Sequence, residues 1–230
     1  MREEDLRTAT RFEKVSPFAE NNRLFVRGEI CANPIFSHEN HGEGFYKSCI
    51  RTMRLSGTPD YINLMISELL IHDAKKKWIN LRCGALVKVR GELRTYKKMV
   101  DGIERTRLFM IVNEITAQDY KEVLAGIDIN DLYLEGEICK LGQMRETRQG
   151  KLITEFFLCV KRSDRAEKAC YFPCIAWGGV ARFVSNLSVG AKVAVFGRLQ
   201  SREYEKTGND GEVRIMRTSE VSLWRMGKIE

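Results

Sequence analysis

A chain of 230 residues, 43% hydrophobic and 30% charged with only four prolines, has the makeup of a packed globular protein and room for two domains of about 100 residues each. That makeup excludes disordered, collagen-like and low-complexity chains, and the longest apolar run, YINLMISELLIH, is broken by Glu68, against a membrane span. The formal net charge of +7, shared almost equally between the two halves, points mildly to a polyanionic partner.

The opening MREEDLRTATRFEK is charged where a signal peptide would need an apolar core. Residues 1–21 are therefore read as an N-terminal arm of a soluble, cytoplasmic protein. In that compartment the seven cysteines, none in a C-x-x-C pair, stay reduced and serve mostly as small core residues. The next stretch, NRLFVRGEIC (Asn22 to Cys31), returns almost unchanged as NDLYLEGEIC (Asn130 to Cys139). Later landmarks keep the spacing: GALVKVRGEL (Gly84 to Leu93) returns as GAKVAVFGRL (Gly190 to Leu199), and NEI (Asn113 to Ile115) as SEV (Ser219 to Val221). A repeat that holds register over a whole domain length is a duplicated unit. The expected division is a divergent first domain at 22–117, a linker at 118–129 too short and apolar to be a free tether, and a second domain at 130–226.

The second copy shows its elements most plainly. LYLEGEI alternates as a strand, KLGQMRETRQGK is a polar hairpin loop, and LITEFFLCVKR is a long second strand. A charged turn leads to the strand CYFPCIAW, after which GVARFVSNL carries apolar residues at helical spacing. KVAVFGRLQSREY and VRIMRTSEVSLW close the unit as a hairpin around EKTGNDGE. Three strands, a helix and two strands is the order of a five-stranded Greek-key barrel of the OB type. The fold class expected is thus mainly β: two tandem OB-fold barrels, each with one helix between strands 3 and 4.

Strand alternation sorts the faces. In strand four of the second copy Val193, Val195, Gly197 and Leu199 face inward, leaving Phe196, Arg198, Gln200, Arg202 and Tyr204 outside. In strand three Phe172, Cys174 and Ala176 point inward, with Tyr171, Pro173, Ile175 and Trp177 outside. An outer face so rich in rings and cations suits a flat, anionic ligand. By the same registration the first copy presents Tyr61, Asn63, Met65 and Ser67 on its strand three, and Lys88, Arg90, Arg94 and Tyr96 on its strand four. It has Ser67 and Glu68 where the second copy has Trp177, and its helix, ELLIHDAKKKWI, reads as longer.

On LYLEGEI, YFPCIAWGGVARFVSNLSVGAKVAVFGRLQSREYE and SEVSLW, the second copy resembles the bacterial single-stranded DNA-binding protein family over most of residues 130 to 226. The resemblance implies sequence-independent binding of single-stranded DNA in replication, recombination or repair, with bases stacking on Tyr171, Trp177 and Tyr204. An aromatic that the family often carries at the end of strand two is replaced by RSDR around Arg165. The resemblance further implies a homodimer that sets four OB domains around the strand. The chain stops at LWRMGKIE, without the acidic tail through which family members recruit replication or repair proteins. The candidate interface is Tyr171, Trp177, Tyr204, Phe196, Arg198, Arg202, Lys161 and Arg162 in the second copy, and Tyr61, Arg90, Arg94 and Tyr96 in the first.

Competing readings are an OB scaffold or primosome-like subunit whose faces are given to protein contacts, favoured by the first copy's missing aromatic, and, more remotely, an enzyme. No G-x-x-x-x-G-K-[ST], G-x-S-x-G or H-E-x-x-H occurs, so neither catalysis nor a cofactor is expected. Cys31, His38, His41 and Cys49 could close a zinc site across the first hairpin, at an unusual spacing. His72-Asp73 belongs more naturally to the surface helix HDAKKKW than to a metal-dependent hydrolase.

Overall fold

The computed structural model describes residues 21–100, 102–118, 128–165, 167–207 and 212–229. The expected N-terminal arm and the linker lie almost wholly outside them. In chain order the elements are β1 (Asn22–Asn40), β2 (Glu43–Met53), β3 (Pro59–Ser67), α1 (Glu68–Lys76), β4 (Leu86–Val100) and β5 (Ile103–Ala117). The second series is β6 (Ile129–Leu141), the short β7 (Arg145–Glu146), β8 (Leu152–Lys161), β9 (Ala169–Trp177), α2 (Gly178–Ser185), β10 (Lys192–Thr207) and β11 (Val213–Lys228). α1 and α2 have nine and eight residues, so the helices are near equal and the surplus of the first copy lies in the loop after α1. No helix among the described residues is long and apolar enough to cross a membrane.

Each series closes into a barrel. β1 pairs with both β2 and β4, β4 with β5, and the parallel pair β3–β5 completes the ring. β6, β8, β9, β11 and β10 repeat the circuit, with β9–β11 as the parallel pair. The first strand must bend sharply to serve two neighbours, and the repeated glycine permits it. A β-carbon on Gly28 would lie 2.1 Å from the Arg51 carbonyl oxygen, and one on Gly136 would lie 2.3 Å from that of Cys159.

The repeated asparagine has an equally specific role. Asn22 donates from Nδ2 to the Leu93 carbonyl at 2.8 Å and accepts from the Leu93 amide at 2.9 Å. Asn130 makes the same pair of bonds to Leu199, at 2.9 and 3.0 Å. In each copy one side chain satisfies both backbone groups of a buried strand-four leucine.

Inward residues follow the alternation: Val193, Val195, Leu199, Phe172, Cys174 and Ala176 are all buried. Ile175, expected outside, is buried as well, because this part of β9 lies between β8 and β11 with little of its outer surface open. The two barrels are not beads on a string. β1 and β6 pair antiparallel from Asn22↔Leu134 to Arg27↔Ile129, which fuses both barrels into one continuous sheet with one contiguous core.

Two further seams hold the barrels together. Asp60 on β3 is fully buried and accepts from the Ser201 amide at 2.7 Å, while Arg54 pairs with Asp60 at 2.5 Å and donates to the Ser201 carbonyl at 2.9 Å. On the other side Arg94 of β4 reaches Asp164, in the turn after β8, at 3.2 Å, and Ser163 Oγ donates to Glu92 at 3.2 Å. In the first seam strand four of the second barrel meets the turn after β2 and the start of β3, and in the second seam strand four of the first barrel meets the turn after β8.

Candidate nucleic-acid interface

Strand pairing in the second barrel sets one row of side chains across three strands. Ile175 on β9 pairs with Ser222 on β11, and Ser222 pairs with Arg198 on β10. Trp177, the last residue of β9, lies two positions beyond Ile175 on the same face, and its indole Nε1 donates to Ser222 Oγ at 3.1 Å. The hydroxyl fixes the ring at the surface without covering its faces.

Two shallow grooves flank the indole. One, of about 310 Å³, runs between Trp177 and Trp224 and is lined by Arg198, Lys151 and Arg54. The other, of about 450 Å³, lies toward Gly178, Gly179 and Arg182 and is again bordered by Lys151. Arg54 reaches the first groove from the other barrel, so the composite groove exists only because the barrels are fused.

The electrostatics favour an anion. Burial, with the neighbouring Arg54 charge adding to it and Asp60 opposing it, pulls the Arg198 guanidinium below its ordinary pKa. Arg198 donates to Gln200 Oε1 at 3.0 Å while its Nε is buried with no partner. Trp224, Lys151 and Arg54 were not singled out by the sequence. Trp224 lies in the quoted SEVSLW ending, whereas Arg54 belongs to a turn of the other copy and has no local signal.

The remaining expected residues are spread along the same barrel. Phe196 lies on the outer face, but its ring is tilted against Tyr133 at 4.9 Å and covered by the Arg225 guanidinium at 5.4 Å. Arg202 is exposed and Tyr204 partly so, farther along the β10 arm. Tyr204 lies six positions beyond Arg198, about 20 Å of extended strand. Tyr171 is exposed opposite Cys159, at the other end of β9 from Trp177, and the adjoining thiol raises its phenol pKa. Lys161 is exposed near the Tyr171 end, whereas Arg162 is engaged with Asp164, with Nε at 2.9 Å. Trp177 and Tyr204 are both accessible, but the groove beside the indole brings together Trp177 and Arg198 and does not include Tyr204.

The first barrel departs more from expectation. Arg94 is only 7% exposed, locked to Glu92 at 2.5 Å and to Asp164. Tyr61 lies under the Arg217 guanidinium at 3.7 Å, and its amide donates to Ser201 Oγ at 2.9 Å. Both point outward from their own barrel, as alternation requires, but the second barrel is what they meet. Arg90 pairs with Glu114 at 3.2 Å and covers Phe25 at 5.1 Å. Tyr96 alone of the four is exposed, edge-on to Phe109 at 5.5 Å.

The candidate zinc ligands do not converge. Cys49 pairs opposite Ala32 and His38 opposite Phe45, six positions apart along β1 and so about 20 Å. His38 stacks on Phe45 at 5.4 Å, and burial together with the adjacent Cys31 pushes the Cys49 thiol up to about 12. Among the described residues no group of three or more His, Cys, Asp or Glu is placed to hold a metal ion.

Comparison with known proteins bears on the same barrel. Residues 129–223 match the model of the Single-strand binding protein family. Single-stranded DNA-binding protein 3 of Streptococcus agalactiae serotype V is 30% identical over 82 residues, which cover 34% of this chain and 59% of that protein. The chain therefore spans little more than half the length of that curated relative. Among solved structures, the wild-type single-stranded DNA binding protein from Thermus aquaticus aligns with a TM-score of 0.69 at 19% identity, over 91% of this chain and 93% of that one. A deletion mutant of the same protein gives 0.68 at 20% identity, over 91% and 94%. These structures share the fold over nearly the whole chain.

Proposed function

We propose that the chain, whose residues 129–223 match the Single-strand binding protein family, is a member of that family and binds single-stranded DNA without regard to base sequence, in replication, recombination or repair. The observation that carries this reading is the Trp177 indole, pinned by Ser222 and bordered by Arg198, Lys151 and Arg54. A base stacked on an aromatic ring gains about 1–3 kcal/mol whatever its identity, and cations that neutralise phosphates release counterions. Neither interaction reads sequence.

The two barrels divide the work. The second, over 130–226, supplies the stacking surface. The first, over 22–117, has given Tyr61 and Arg94 to docking and supplies Arg54 to the shared groove. Two such chains would place four barrels around one strand, and we propose this homodimer in the cytoplasm. The mass of the protein in solution, with and without a long oligonucleotide, tests it.

A titration with oligo(dT) tests the binding itself. Tryptophan emission should be quenched, and affinity should fall steeply as salt rises. Trp177→Ala should weaken binding by about 1–3 kcal/mol with the fold intact. Absence of quenching and of binding at low salt would overturn the reading.

A further inference from the structure

Helix α1 ends on a tryptophan where a glycine is usual. The Trp78 amide donates to the Lys75 carbonyl at 3.1 Å and the Ile79 amide to that of Ala74 at 2.9 Å, closing bonds of a helix whose next residue turns left-handed. Trp78 takes that turn at φ 56°, a conformation that bulky residues avoid. Burial does not offset the strain, because Trp78 is 94% exposed. Ile79 packs on the core, as Leu187 does after α2, and the left-handed turn throws the indole into solvent.

The surroundings are cationic. Lys75, Lys76 and Arg82 are exposed and carry no ion pair among the described residues, and Lys77 pairs with Asp73 at 2.8 Å. Lysines in a last turn ordinarily offset the negative end of the helix dipole. An exposed indole and a further exposed arginine four residues along the chain go beyond that need.

We propose that Trp78, with Lys75, Lys76 and Arg82, is a second stacking site for single-stranded nucleic acid, used when the strand is long enough to leave the Trp177 groove and cross the first barrel. This rests on the reading under Proposed function. α1 starts at Ser67, where the first barrel lacks a counterpart of Trp177, and spans about 14 Å. Trp78 thus supplies an indole at the opposite end of the helix. The flat ring accepts any base and the neighbouring cations hold phosphates.

Trp78→Phe, Trp78→Gly and a Lys75→Glu/Lys76→Glu double variant test the site in the full chain. Titrations use an oligo(dT) of about 10 nucleotides, within the span of one OB fold, and one several times longer. The long strand should quench wild-type emission more than the short one, and Trp78→Phe should abolish the excess. Trp78→Gly should raise the melting temperature by about 2–4 °C, since glycine accepts the left-handed turn, yet weaken long-strand binding about five-fold or more while leaving short-strand binding unchanged. The double lysine variant should lower the salt dependence for the long strand only. If both strands bind and Trp78→Phe changes neither the excess quenching nor the long-strand affinity, this inference fails and the second-barrel reading stands. Quenching of Trp78 by brominated anionic vesicles but not by the long strand also overturns it. If wild-type protein binds neither strand, both readings fall together.

Discussion

Leu24 and Leu132 occupy the same position in the two copies of the repeat and lie directly opposite each other in the β1–β6 ladder. A pseudo-two-fold axis therefore passes between them, and the chain joins its halves through one self-complementary surface, as a symmetric dimer would. Both leucines are buried in the shared core. Leu24→Ala and Leu132→Ala should each cost about 2–5 kcal/mol, measured by urea unfolding. The double variant should depart from additivity, because the two side chains are neighbours. Strict additivity would mean that the barrels unfold independently and that the junction is only a contact.

Asn22 and Asn130 clamp Leu93 and Leu199 by identical pairs of hydrogen bonds. Asn22→Leu would strand a buried amide and carbonyl, at about 1–3 kcal/mol for each group left unpaired. Asn130 is less buried than Asn22, so water can replace part of its role and Asn130→Leu should cost less. Hydrogen exchange at the Leu93 and Leu199 amides reads each clamp directly, and each variant should lose protection at its own leucine.

Arg94 separates docking from binding. Its side chain is buried against Glu92 and Asp164, so Arg94→Ala leaves Glu92 without its main partner, at about 3–5 kcal/mol of stability. Where the protein remains folded, its affinity for oligo(dT) should match the wild type within about two-fold. A variant that folds normally but binds weakly would return Arg94 to the interface.

Arg94 and Tyr61 also mark what the sequence could not disclose. Alternation along β3 and β4 identified which residues leave their own barrel, and the structure agrees. What lies outside depends on the β1–β6 junction, and nothing in a period-two pattern announces that another barrel covers a face. The repeat, the barrel order, the inward residues and Trp177 were legible because each follows from local periodicity or from comparing the copies. Arg54 was not, because it reaches the groove from the other copy. Phe196 was half legible: its outward direction follows from the strand, but Tyr133 beside it comes from the pairing of β10 with β6.

Asp164 gives the second seam an acid limit. Hydrogen bonds from Arg162 hold its carboxyl down to about 2, with the Arg162 and Arg94 charges adding to the effect. An acid whose pKa is lower folded than unfolded contributes stability that is present above its unfolded pKa of about 3.9 and is lost as pH falls through the folded value. The side chain is 48% exposed, so solvent and salt reduce the contribution. Glu220 works in the opposite sense: burial raises its pKa, so its contribution is present below about 4.3 and lost as pH rises through the raised value. Comparing wild type with Asp164→Asn leaves Glu220 common to both. The wild type should have the higher urea midpoint at pH 6, and its margin should shrink between pH of about 4 and about 2 until the two proteins coincide. A margin that stayed constant across that window would show that the Asp164 charge, held mainly by Arg162, contributes nothing to stability.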